Sequence, residues 1–434
     1  MHTFIKNLLN GQSVEWKKLW EVTIWDKKFN AVPKENQPKI EKHYYFLASD
    51  LKKLAVQDGN VKLLTTNISD LWTTEELAGD KINEGEIIAI PGGGNPIVQY
   101  YKGKYITADN RIATSSDKNV LDNKFLYYFL LSRLDLISSF YRGSGIKHPS
   151  MFDVLEMKIP IPPLEAQRKI VQVLDNFTEL TAELTAELTA ELTARKKQYE
   201  YYRNLLLDFN NPTGGGNWLF QSRNPFSDGL KVEWKSLGEV ILHLRTGLNP
   251  RNNFKLNTPD ARNSYVTVRE LAGTTVEITE KTDKVNDEAL HIINNRSNLK
   301  VGDILFSGTG TIGRTAFIDK KPENWNIKEG VYAITVNSEI IYPMFLLRLF
   351  QSTSILNKIK SLTMGSTVQS IAMADLRKIK IPIPPLETQA QIVAILDKFD
   401  TLTHSISEGL PREIELRQKQ YEYYRERLLN FDAV

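Results

Sequence analysis

The sequence contains no cysteine. That excludes disulfides and thiolate-held metals, and it suits a reducing compartment. Its six histidines (His2, His43, His148, His243, His291 and His404) are scattered, and none pairs at metal-ligand spacing. No run of about 18 apolar residues occurs, so no membrane-spanning helix is expected. The start, MHTFIKNLLNGQSVEWKKL, lacks the sustained apolar stretch of a signal peptide, and a cytoplasmic location is expected. Excess charge is scarce too. Fifty-five Lys and Arg face 52 Asp and Glu, and the resulting +3 is by itself no argument for nucleic acid. Catalytic signatures are missing: there is no G-K-[ST] phosphate loop, H-E-x-x-H, G-x-S-x-G, N-P-P-[FY] or D-P-P-Y. No enzyme activity is expected of this chain.

What the chain does have is an internal repeat. KIPIPPLEAQRKIVQVLDNF from Lys158 and KIPIPPLETQAQIVAILDKF from Lys380 share fourteen of twenty positions, 222 residues apart. RKKQYEYYR from Arg195 answers RQKQYEYYR from Arg417 at the same offset, and VEWKKLWEV from Val14 answers VEWKSLGEV from Val232. A 434-residue chain allows two or three domains. The repeat divides it into a variable region (1–157), a near-identical helical segment (158–209), a Gly-, Asn- and Pro-rich linker (210–231), a second variable region (232–377) and a second helical segment (378–434). Two tandem copies predict a pseudo-two-fold molecule.

KIPIPP reads as a strand end, with Pro163 and Pro385 suited to a helix start. From Leu164 to Leu207 no Gly or Pro intervenes, enough for about 66 Å of helix. A helix that long needs a partner along its length, most simply an antiparallel coiled coil. Its middle repeats TAEL three times over 181–192. Leu180, Leu184, Leu188 and Leu192 form an apolar line, and Glu179, Glu183, Glu187 and Glu191 form an acidic line that would repel phosphate. The second copy carries Gly409 and Pro411, where its helix is expected to kink or restart.

The variable regions mix short β-like and helical stretches. ARNSYVTVRELAG reads as a weak helix. GTGTIG at 308–313 fits a dinucleotide fingerprint, but RTAFIDKK after it is β-like where a helix is required. It and PGGGNP at 91–96 are better read as glycine turns between strands. RGSGIKHPS from Arg142 and MGSTVQS from Met364 are loops suited to recognition. Candidate DNA-contacting residues are Lys102, Lys104, Arg142, Lys147, His148, Arg245, Asn249, Arg251, Arg314, Gln369 and Ser370, because their side chains can bond a phosphate or a base edge. Tyr199, Tyr202, Arg203, Tyr421, Tyr424 and Arg425 of the QYEYYR segments are candidates for docking a partner subunit, since Tyr and Arg are favoured in interfaces.

These elements together resemble the specificity (S) subunit of type I restriction–modification enzymes of the EcoR124 type. The resemblance rests on IPIPPLEAQ, IPIPPLETQ, the TAEL array and the duplicated QYEYYR, and it spans essentially the whole chain. It implies an α+β architecture. Two target-recognition domains of mixed strands and helices would be separated by two long helices in an antiparallel coiled coil. It further implies double-stranded DNA as ligand, with a bipartite asymmetric site. Two methyltransferase (modification) subunits and restriction/translocase subunits would be partners, and S-adenosylmethionine, ATP and Mg would belong to them. On this reading the TAEL array is a ruler. One unit adds about 6 Å and ~40°, against about 3.4 Å and ~35° per base pair. The competing expectation is a protein-interaction scaffold with a coiled-coil spacer.

Overall fold

The computed structural model describes residues 2–209, 226, 232–251, 253–365, 368–404 and 409–431. The linker at 210–231 lies outside them except for Phe226. The chain forms two compact units, Met1–Glu187 with Ile414–Val434, and Leu188–Glu413. This division cuts across the sequence segments: each unit combines a variable region with parts of both helical segments.

In the first unit, strand Glu15–Lys18 pairs antiparallel with Lys158–Ile161, setting Trp16 opposite Pro160. The motifs VEWK and KIPI, far apart in sequence, are therefore strand partners that close the variable region. Proline is tolerated because this is a two-stranded ladder with free edges. Between them lies a six-stranded sheet in the order Thr23–Trp25, Asn110–Ser115, Asn83–Pro91, Gln99–Thr107, Val61–Leu64, Trp72–Thr73. Its pairings are antiparallel except that between Val61–Leu64 and Gln99–Thr107. Helix Asn123–Ser132 starts at Asp122, whose carboxylate accepts the N–H groups of Lys124 and Phe125. It lays Phe125, Leu126 and Phe129 into a core with Trp25, Ile88, Ile170 and Leu174. Leu428, Leu429 and Phe431, from the end of the chain, complete that core.

The second unit repeats the closure: Glu233–Ser236 pairs with Lys380–Ile383, and Trp234 faces Pro382. Its strands divide differently. An antiparallel sheet runs Ile241–Thr246, Val331–Val336, Ile304–Ser307, Thr315–Phe317, and a second runs Lys284–Val285, Asn263–Val266, Trp325–Ile327. ARNSYVTVRELAG is not the weak helix expected. It forms strand Asn263–Val266, buried at all four positions with Tyr265 and Val266 suited to a strand, and a single 3-10 turn, Val268–Glu270. One helix the sequence did not announce is Asp287–Ser297, capped by Asn286 and ended by Asn298 in the left-handed region.

The helical segments explain the near-identical sequence. A single helix spans Leu164–Leu206. Near its start the buried Gln167 donates to the carbonyls of Pro162 and Val120 (both 2.8 Å) and accepts the Asp122 N–H at 2.9 Å. Gln389 does the same in the second unit, donating to Pro384 at 2.7 Å and Ile340 at 3.1 Å and accepting the Tyr342 N–H at 2.8 Å. The glutamine of PPLExQ thus staples the helix start to the variable region. Further along, Thr181, Leu184, Leu188, Leu192, Arg195 and Gln198 are half-buried, while Glu179, Glu183, Glu187 and Glu191 are exposed, as the acidic line requires. Leu180 departs from the expected stripe and is 56% exposed. The second segment is two helices, Leu386–His404 and Leu410–Leu429. Gly409 precedes the restart with φ +80°, and a Cβ there would sit 2.7 Å from the Thr401 carbonyl.

Within the first unit the two helices run antiparallel. Phe177 stacks on Tyr424 at 5.6 Å, and Leu180, Thr181 and Leu184 share a cleft with Tyr421, Gln420 and Arg417. In the second unit Tyr202 stacks on Phe399 at 5.4 Å, the same pair shifted by the repeat.

Candidate nucleic-acid interface

Both glycine motifs are turns between antiparallel strands. PGGGNP follows Asn83–Pro91 and leads into Gln99–Thr107, while GTGTIG links Ile304–Ser307 to Thr315–Phe317. Neither opens a helix, so neither presents a helix N-terminus to a pyrophosphate.

Each turn is tied to the hairpin loop of its own unit. In the first unit, the Gly94 N–H donates to the Lys147 carbonyl at 2.9 Å, and His148 Nδ1 lies 2.6 Å from the Gly92 carbonyl oxygen. The ladder Tyr141–Arg142 with His148–Pro149 holds the hairpin, and Tyr141 donates its hydroxyl to Pro91 at 2.8 Å. In the second, the Gly310 N–H donates to the Gln369 carbonyl at 2.9 Å, and the Ile371 N–H to the Gly308 carbonyl at 2.9 Å. Met364 and Ser370 exchange both backbone bonds, and Tyr332 donates to Ile371 at 2.6 Å. Gly143 and Gly365, both at positive φ, make the bends; a Cβ would meet the carbonyl of Ile146 at 2.8 Å or of Val368 at 2.3 Å. Two unlike variable regions thus present one construction: a glycine turn and a glycine-hinged hairpin, side by side. The hairpin shows Lys147 and His148 in one unit, and Gln369 and Ser370 at the corresponding positions in the other.

Beneath the first turn sits a charge network. Arg111 pairs with Asp109 at 2.6 Å, and Lys27 reaches the same carboxylate at 3.5 Å. Burial raises the Asp109 pKa, but Arg111 and Lys27 outweigh it and hold the group below its ordinary value. Nothing in the local sequence marks these residues, because Lys27, in the bend after strand Thr23–Trp25, and Arg111, on strand Asn110–Ser115, are more than 80 positions apart.

The other candidates fall elsewhere. Lys102 is exposed on strand Gln99–Thr107 opposite Glu86, and Lys104 on that strand pairs with Glu75 at 2.8 Å. Arg142, at the base of the hairpin, is 72% exposed and pairs with Asp153 at 3.0 Å. Arg245 is held inside its unit. It bonds the carbonyls of Ser297 and Asn298, Asp303 at 2.7 Å and Thr335 at 2.6 Å, an assignment that leaves it a structural cation. The Asn249 carbonyl accepts the Asn253 amide at 2.8 Å, and Arg251 is exposed nearby. Arg314 is exposed at the exit of the second glycine turn, its N–H on Ser307 Oγ at 2.8 Å.

The tyrosines of QYEYYR pack within the units. Tyr199 is 4% exposed and accepts from Arg348 at 2.9 Å, with Arg203 over its ring at 5.3 Å. Tyr421 lies 3.0 Å from the Thr178 hydroxyl with Arg425 over it, also at 5.3 Å, and Tyr424 and Tyr202 make the stacks above. The rings left half-exposed are Tyr201 and Tyr423, at equivalent positions.

The pattern of the family described as Type I restriction modification DNA specificity domain matches residues 48–194 and 231–416. The chain belongs to this family. It is 32% identical to the Escherichia coli type I restriction enzyme EcoR124I/EcoR124II specificity subunit, over 99% of this chain and 97% of the relative. It is 28% identical to the Escherichia coli EcoprrI specificity subunit, over 94% and 92%. A solved chain from work on complex assembly and conformational transition of the type I R-M system shares the fold at TM-score 0.60, with 16% identity and 97% and 98% coverage. The α+β architecture, two recognition regions with a long helix between them in the chain, is that of specificity subunits. Among the described residues no helix is long and apolar enough to cross a membrane, and no group of three His, Asp or Glu could hold a metal.

Proposed function

We propose that this chain is the DNA sequence-specificity subunit of a type I restriction–modification complex, reading a bipartite, asymmetric site in double-stranded DNA. The observation that carries it is the duplicated loop construction with unlike side chains. A shared frame positions Lys147 and His148 in one unit and Gln369 and Ser370 in the other, which suits two different half-sites read in the major groove. Exposed Arg251 and Arg314 add phosphate contacts that fix position and carry no sequence information. The chain is non-catalytic, in keeping with the missing motifs. Two modification subunits would dock on it with S-adenosylmethionine and methylate adenine, restriction/translocase subunits would bring ATP and Mg, and the assembly would work in the cytoplasm.

The test is co-expression with a type I modification subunit and mapping of methylated adenines across a genome. A two-part motif with a fixed gap is expected. Exchanging Lys147→Gln with His148→Ser should alter the first-domain half and leave the other intact. Methylation that is absent, or altered in both halves at once, would refute the assignment.

A further inference from the structure

At the tip of each hairpin stands an aliphatic side chain in water. Ile146 is 70% exposed and Val368 58% exposed, and they are 222 residues apart, the offset of the repeat. Neither belongs to a core cluster. The frame holds each one in place: the positive-φ glycine three residues earlier lies against its carbonyl, and Ile146 Cγ2 would sit 3.1 Å from a Cβ on Gly93. A β-branched side chain adds stiffness, since few χ1 rotamers are open to it. The flanking positions change from Lys147 and His148 to Gln369 and Ser370, but the tip stays branched and apolar.

Resting on the function proposed above, we infer that Ile146 and Val368 each contact the 5-methyl group of a thymine, one in each half-site. The thymine methyl is the apolar feature that a base pair offers in the major groove. A protein partner is less well matched at the first tip, where the chain neighbours of Ile146 are glycines and the polar Ser144, Lys147 and His148, none of them a Trp, Tyr or Arg anchor. A single methyl is worth a modest factor, so the contact refines a choice made by hydrogen bonds.

The experiment uses the full chain assembled with modification subunits, and duplexes of the mapped site in which each thymine in turn is replaced by uracil. One position in each half should lose affinity about three- to tenfold, the scale of one buried methyl. Ile146→Ala should abolish that sensitivity in the first-domain half only, Val368→Ala in the second only, and Ile146→Val should retain it. Uracil sensitivity that is absent, or that survives both alanine variants, overturns the inference while leaving the proposed function standing. So does loss of modification-subunit binding in the variants, which would make the tips a protein contact. A complex with no sequence-selective binding at all would instead refute the function, and the inference with it.

Discussion

Arg348 offers the sharpest test of how the helix ends are held. Its side chain is 2% exposed, and its guanidinium reaches Asp397 at 2.7 Å, Tyr199 at 2.9 Å, Asp400 at 3.1 Å and Gln351 at 3.2 Å. Arg348→Met keeps the apolar stem and removes the charge. Deleting one member of a fully buried pair costs about 3–5 kcal/mol. Here Asp397 is 46% and Asp400 23% exposed. Water reaching these carboxylates lowers the expected loss to about 2–3 kcal/mol. For a unit of this size that is a fall in Tm of about 5–10 °C, read by far-UV circular dichroism. The first unit suggests the rescue. Tyr128, at the position matching Arg348, donates to Asp175 at 2.6 Å and lies 3.2 Å from the Thr178 hydroxyl. Arg348→Tyr with Asp400→Thr imitates that arrangement and should recover part of the loss. A Tm within about 1 °C of the parent for Arg348→Met would show that the buried charge holds nothing together.

Three further outcomes are expected. Gln167→Leu and Gln389→Leu each strand buried backbone groups, so each should cost about 2–5 kcal/mol in urea unfolding, where an ordinary surface change costs under about 0.5. Burial raises the Asp26 pKa, against the Ile112 N–H it accepts at 3.1 Å and the nearby cations Lys27 and Arg111. The native state therefore holds that proton to higher pH than the unfolded chain, and stability falls as pH rises from the ordinary carboxylate range through the raised one. Asp26→Asn keeps an acceptor for Ile112, so it should raise Tm slightly at pH 7 and flatten the acid side of the pH profile; an unchanged profile would refute it. Deleting one TAEL unit removes about 6 Å and ~40° of helix, so the gap between half-sites should shorten by about one base pair. Methylation mapping that returns the original gap at full efficiency would dismiss the ruler.

The sequence by itself determined the repeat, the long helix and the break in its second copy. These are local matters: an uninterrupted run from Leu164 carries its own helical hydrogen bonds, while Gly409 takes the positive φ that interrupts a helix and Pro411, which has no N–H, suits the first turn of a new one. Glycine turns could also be told from a nucleotide loop, because the β-like residues after GTGTIG rule out a helix there. Only tertiary structure decided that VEWK and KIPI are strand partners, that Gln167 and Gln389 are staples, and that Arg245 is held by Asp303 while Lys147 stays exposed. The reason is range. A charged or amide side chain carries the same signature in sequence whether it meets water, DNA or a carbonyl brought from 50 residues away, and that choice is made when the chain packs.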